Sequence, residues 1–106
     1  MKQLALNYFA AWNAQDARWL THLFDNDVTL VDWDNSVSGL IDVVEMNRKI
    51  WADVPDIKAT VLDIAESEQH CIAKLLIQID DDTSIDVVDV FTMKDGKITS
   101  IKAYKG

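Results

Sequence analysis

Glycine is scarce in this chain. Only Gly39, Gly96 and Gly106 occur in 106 residues, so no glycine-rich loop exists to cradle a phosphate, and nucleotide-loop enzymes are excluded. The single cysteine, Cys71, permits neither an internal disulfide nor a cysteine-based zinc cluster. Basic side chains are also few: 10 Lys and Arg stand against 18 Asp and Glu, a formal charge of −8. Nucleic acid and anionic membrane surfaces both reward a positive face, so neither is expected as a partner. No apolar run approaches the ~20 residues a membrane span needs. The opening MKQLALNYFAAWNAQD, broken at Asn7, lacks the apolar core and small-residue cleavage site of a signal peptide. A soluble, cytoplasmic protein is the expectation.

Apolar residues, in contrast, are plentiful. They make up 49% of the chain against 26% charged, enough to build a core and too many for a disordered segment. At this length one domain over residues 1–106 is the default, with no room for a second core.

The first half reads as helical. Ala5, Tyr8, Phe9 and Trp12 follow the i, i+3, i+4, i+7 spacing of a helix with one buried stripe. Asp16 is placed to cap a second helix carrying Leu20, Leu23 and Phe24, which stops at Asp25-Asn26-Asp27. A strand follows over Val28–Trp33, then a polar turn through Asp34-Asn35-Ser36. A third helix opens near Ser38-Gly39 and keeps the stripe Leu40, Val43, Val44, Asn47, Ile50, Trp51 and Val54 until Pro55. The second half reads as four strands, Ile57–Ala65, His70–Ile79, Ile85–Met93 and Ile98–Tyr104, separated by acidic or glycine turns. Asp95-Gly96 is the strongest hairpin signal, because its tight turn needs positive φ. The pattern predicts an α+β domain.

One strand is apolar on both sides. Ile85, Val87, Asp89, Phe91 and Met93 share one face, while Val88, Val90 and Thr92 share the other. A sheet with one wet face alternates more cleanly than this. Helices over one face and a second copy of the chain over the other would account for it.

Asp89 is the anomalous residue, set between Val87 and Phe91 on an apolar face. An ionised carboxylate there is costly to desolvate, so it is paired, hydrated or protonated. It reads either as a carboxyl lining an apolar cavity or as an edge-strand acid reaching solvent. Asp32 shares the strand face of Val28 and Leu30 and reads as a general base or as the residue that starts the following turn. Tyr8 sits in the first helical stripe, where a core tyrosine with a wet tip is the plainer alternative to a hydrogen-bond donor. Trp12, Trp19, Trp33 and Trp51 either line a pocket for a flat apolar ligand or fill the core.

A metal site has little support. His70 and Cys71 are adjacent, so on a strand they point to opposite faces, and His22 has no ligand-spaced partner. Asp80, Asp82, Ser84 and Asp86 imitate a calcium loop, but Ile85 replaces the needed glycine and Phe91 the closing glutamate. That run is read as a solvated hairpin turn.

Taken in order, these segments resemble the NTF2-like superfamily, particularly its ketosteroid isomerase-like and SnoaL-like members. Tyr8-Phe9-Ala10-Ala11-Trp12-Asn13-Ala14-Gln15-Asp16 is similar to the family's first-helix motif, in which glycine usually precedes that aspartate. Leu23-Phe24-Asp25-Asn26-Asp27-Val28 is similar to the helix-to-strand junction, Ser38-Gly39 to the start of the third helix, and Asp89-Val90-Phe91 with Asp95-Gly96-Lys97-Ile98 to the last hairpin. The resemblance runs from about Leu4 to Tyr104.

It implies a cystatin-like cone: three N-terminal helices packed into a strongly curved, mostly antiparallel sheet that encloses an apolar cavity. It also implies a homodimer through the outer sheet face and cofactor-free proton transfer next to a carbonyl. In ketosteroid isomerases a first-helix tyrosine and a late-strand aspartate donate to the enolate, and an aspartate at the end of the first strand carries the proton. Tyr8, Asp89 and Asp32 stand at the matching places. The same resemblance implies ligand contacts from Trp12, Trp33, Trp51, Phe91 and Val87, and neither a metal nor a cofactor. The alternatives are a SnoaL-like polyketide cyclase or hydrolase, or a non-catalytic binding module. Two departures, Trp33 where proline usually follows the base and the bulky Trp12, point to a ligand smaller than a steroid.

Overall fold

Asp16 does cap the second helix: its side chain accepts a hydrogen bond from the Trp19 backbone N–H at 3.0 Å. The computed structural model, which describes residues 1–106, places α1 over Lys2–Asn13, α2 over Ala17–Leu23 and α3 over Leu40–Asp53. Gln15 stands between the first two helices with φ 55°, a left-handed turn that glycine fills more easily. Its side chain offsets that strain by donating to the Pro55 carbonyl at 2.8 Å. Gly39, with φ 95°, precedes α3, and α3 stops one residue short of Val54 and two short of Pro55.

Six strands follow the order β2-β1-β6-β5-β4-β3. They are β1 Phe24–Val31, β2 Ser36–Ser38, β3 Lys58–Glu66, β4 His70–Asp80, β5 Thr83–Lys94 and β6 Lys97–Lys105. The last four form an antiparallel meander, as their turn residues predict. Asp95 and Gly96 both have positive φ, 52° and 76°, as the hairpin signal requires. The sheet's one parallel pairing sets β1 beside β6, with Leu30 opposite Ile101.

Two boundaries differ from the sequence reading. Phe24 belongs to β1 rather than to the second helix, and β1 ends at Val31, leaving Asp32 and Trp33 in the turn. The short β2 has no counterpart in the sequence reading. It arises because the Asp32 backbone N–H donates to the Asn35 carbonyl at 2.9 Å, closing a hairpin that returns Ser36–Ser38 against Thr29–Val31.

The helices pack on the concave face of the curved sheet. Between them lie Phe9, Leu20, Val28, Val43, Leu75, Phe91, Ile98 and Ile101, all buried. Alanines interrupt this filling: Ala73 and Ala103 flank Asp89 on the neighbouring strands, and Ala59 sits on β3. An alanine on a concave face leaves room that a larger side chain would occupy. The convex face carries Val88 and Val90, half-buried, with Leu62, Ile72 and Tyr104 exposed around them.

Candidate active site

The room left by the alanines is a cavity of about 260 Å³ between the helices and the inner sheet face. That lies just under the ~300–1,000 Å³ typical of pockets for drug-sized ligands, so the natural occupant is small. Most of its wall is aliphatic, from Leu75, Ile77, Ile85, Val87 and Ile101. Into this lining project Tyr8, Asp32, Asn47 and Asp89.

Helix α1 supplies Tyr8. Its ring is held edge-on by Phe9 at 5.2 Å and Phe91 at 5.4 Å, and Phe24 packs at 5.9 Å. Three rings fix the phenol in one orientation. The hydroxyl has no hydrogen-bond partner within the chain, so it is left for whatever enters the cavity. Burial, and after it the Asp89 carboxyl, pushes the Tyr8 pKa well above that of an ordinary tyrosine. The phenol therefore stays protonated and available as a donor.

Strand β5 supplies Asp89, which is 7% exposed and likewise has no intrachain hydrogen bond. Its pKa is pushed up to about 7, first by burial and then by the charge of Asp32. Near neutral pH this carboxyl is divided between an acid that donates and a carboxylate that accepts.

Asp32 starts the turn after β1, one of the two readings of its sequence position, and also lines the cavity. Its Oδ1 accepts from the backbone N–H groups of Asp34 at 2.8 Å and Asn35 at 2.6 Å, and from Asn35 Nδ2 at 3.1 Å. Its Oδ2 takes only the Asn35 amide, at 3.2 Å, and is the freer oxygen. The turn thus orients the carboxylate while leaving one oxygen able to take a proton.

Ala103 explains how the two carboxyls come to share a cavity. It pairs with Asp89 across β5 and β6, while its neighbour Lys102 pairs with Val31 just before Asp32. The acids therefore flank Ala103, two strand spacings or about 10 Å apart along the sheet.

Trp12 lines the cavity without plugging it, because its Nε1–H donates to Asn47 Oδ1 at 3.0 Å and holds the indole aside. Asn47 in turn donates to the Val43 carbonyl at 2.9 Å. Trp33 stands at the mouth, 44% exposed, with Lys105 Nζ 5.8 Å from its ring. Val87 lines the wall. Two expected ligand contacts stand outside that wall. Phe91 is fully buried and works by fixing Tyr8, and Trp51 is buried in the core with its Nε1 unpartnered. Asn35 and Asn47 read in the sequence only as a turn residue and a member of a helical stripe, with no role at a site. The signal for Asn47 was present, as the one polar residue in an apolar helical stripe.

No group of three His, Cys, Asp or Glu is placed to hold a metal ion, and no helix is long and apolar enough to cross a membrane.

A family model described as a SnoaL-like domain matches residues 5–101. No curated protein matches the sequence. Among solved structures, an NTF2-like protein of unknown function from Cytophaga hutchinsonii superposes with TM-score 0.86 at 16% identity, covering 99% of this chain and 88% of that one. A candidate ketosteroid isomerase from Kribbella flavida gives 0.86 at 18%, covering 98% and 76%. A candidate polyketide cyclase from Sinorhizobium meliloti gives 0.88 at 17%, covering 95% and 93%. At such identities these likenesses establish the fold, an NTF2-like cone, and leave chemistry to the site.

Proposed function

The chain belongs to the SnoaL-like domain family, and on that premise we propose that it catalyses proton transfer next to a carbonyl on a small apolar substrate. The observation that carries this reading is the pair of buried, unpartnered polar groups, Tyr8 and Asp89, facing one cavity with a carboxylate at its rim.

Asp32 Oδ2 removes the α-proton of a β,γ-unsaturated ketone, and the electron pair moves into a dienolate. The developing oxyanion accepts hydrogen bonds from the Tyr8 hydroxyl and the protonated Asp89 carboxyl. Asp32 then returns its proton at the γ-carbon, which yields the conjugated ketone and restores the carboxylate. Each donor in such a site is worth about 3 kcal/mol of barrier, because the dry wall strengthens hydrogen bonds to developing charge. Asp89 is suited to the task because its apolar surroundings favour the protonated acid up to about pH 7, the same device by which ketosteroid isomerase keeps a carboxylic acid neutral. Double-bond migration on a panel of β,γ-unsaturated ketones tests the proposal, with Asp32→Asn beside the native protein. Equal rates for the two remove Asp32 as the base.

A second reading follows from the likeness to a candidate polyketide cyclase. An intramolecular aldol closure begins with the same abstraction, so turnover of a small polyketide-like diketone without enone isomerisation would favour it.

The protein is further proposed to act in the cytoplasm as a homodimer. Val88 and Val90, with Ile72 and Tyr104 exposed beside them, form an apolar convex face that a second copy would cover. Sedimentation of Val90→Asp against the native chain reads this directly, with conversion of dimer to monomer expected.

A further inference from the structure

The cavity wall has an unbalanced charge. Asp32, Asp34 and Asp89 line it, and no lysine, arginine or histidine does. The Asp89 carboxyl makes no hydrogen bond to the chain, although the residue is more than nine-tenths buried. A wall of this kind disfavours organic anions and stabilises a cation, since each carboxylate attracts positive charge more strongly where water is excluded. Tyr8 and Trp12 add aromatic surface to that wall, and Trp33 at the mouth already carries a cation, Lys105 Nζ 5.8 Å from its ring.

From this geometry we infer that the cavity binds small lipophilic amines as ammonium ions, seated over Ala103 between Asp89 and Asp32. The site goes beyond the proton transfer proposed above and does not depend on it. Ala103 is the small residue that separates the two acids, and its methyl leaves space for the ammonium head. The aliphatic wall from Leu75 to Ile85 takes the hydrocarbon body. An ammonium brings its own N–H donors to the Asp89 oxygens, which no group of the chain satisfies.

The pH dependence has a definite sign. Groups facing Asp89 are Tyr8 from α1 and Asp32 and Asp34 from the turn after β1. Its neighbours on β4 and β6 are Ala73 and Ala103, which carry no charge; Lys105, two residues further along β6, stands at the mouth over Trp33, and α3 offers the neutral Asn47. Asp89 is thus the group that titrates near pH 7, and an ammonium prefers its ionised form. Amine binding strengthens as pH rises through 7, and below that it expels a proton into solvent.

Calorimetric titration with benzylamine, benzyl alcohol and benzoate tests the inference, since the three share a body and differ in charge. Benzylamine is expected to bind about 30-fold more tightly at pH 8.5 than at pH 5.5, the limit for a single carboxyl titrating near 7. Benzyl alcohol should show no such gain and benzoate no binding. In the native protein near pH 6, heats measured in two buffers of different ionisation enthalpy should report nearly one proton released per amine. Asp89→Asn should abolish the pH dependence, and Ala103→Val should weaken the amine by filling its seat while leaving every charge in place. Benzylamine affinity that is flat with pH, or no greater than that of benzyl alcohol at pH 8.5, overturns the inference. These are binding measurements, so an inactive enone assay and an absent amine site remain separate results.

Discussion

Replacing Asp89 by asparagine should make the protein more stable, and by an amount that depends on pH. The carboxyl has an ordinary value of 3.8 when the chain is unfolded and about 7 when folded. Between these values the folded state holds a proton that the unfolded state has released, so stability falls as pH rises. The contribution is neutral below pH 4, declines through the interval, and is fully unfavourable above pH 7. A shift of about three units corresponds to about 4 kcal/mol, a large share of what a domain of this size possesses. Asparagine keeps the shape and cannot ionise. Asp89→Asn is therefore expected to exceed the native protein by about 4 kcal/mol at pH 8 and by about 2 kcal/mol at pH 5. Urea unfolding of both proteins across that range measures it, and the difference between them cancels the general effect of the −8 charge. A difference that stays constant from pH 5 to pH 8 would refute the reasoning. Asp89 would then ionise like a surface acid, and its donor role would go with it.

Three further outcomes are expected. Tyr8→Phe removes a hydroxyl that bonds nothing within the chain, so stability should hold, while the enone isomerisation proposed above should slow by about 10²–10³. Asp32→Asn keeps an oxygen for the Asp34 and Asn35 amides, so the turn should survive, while the carbon-13 titration of Asp89 moves below 7 as its charged neighbour disappears. Asn13→Ala cuts two hydrogen bonds at 2.8 Å that tie α1 to Ala59 on the outermost strand. That should cost about 1–3 kcal/mol and speed hydrogen exchange at the Ala59 amide.

The helices and the four-strand meander were legible because periodicity reports burial directly. Leu20 and Val43 point where their spacing says, and Asp95-Gly96 turns where its backbone freedom allows. What escaped was local polar bonding. Strand β2 is three residues long, too short for its Ser-Val-Ser alternation to mark a strand, and its hairpin is closed by the carboxylate and the backbone N–H of Asp32. Asp89 stood out by its apolar neighbours and Asp32 less so, but only pairing register, which brings Ala103 between them, decides their relation. Phe91 and Trp51 looked like ligand contacts because apolar character alone cannot distinguish a wall from the layer behind it.

The parallel pairing of β1 with β6 has a consequence for biosynthesis. Strand β1 is made before the other five, but the partner on its inner side, β6, is the sixth strand in chain order. Helices α1 and α2 can form at once from local contacts, whereas the sheet must wait for β1 and β6, about 70 residues apart, to meet, which is the slow kind of folding event. In the finished order β2-β1-β6-β5-β4-β3, that final strand stands between the one carrying Asp89 and the one leading to Asp32. A chain whose β6, Lys97–Lys105, has not yet joined the sheet has both acids and no site, so the paired carboxyls are assembled only by that last docking step.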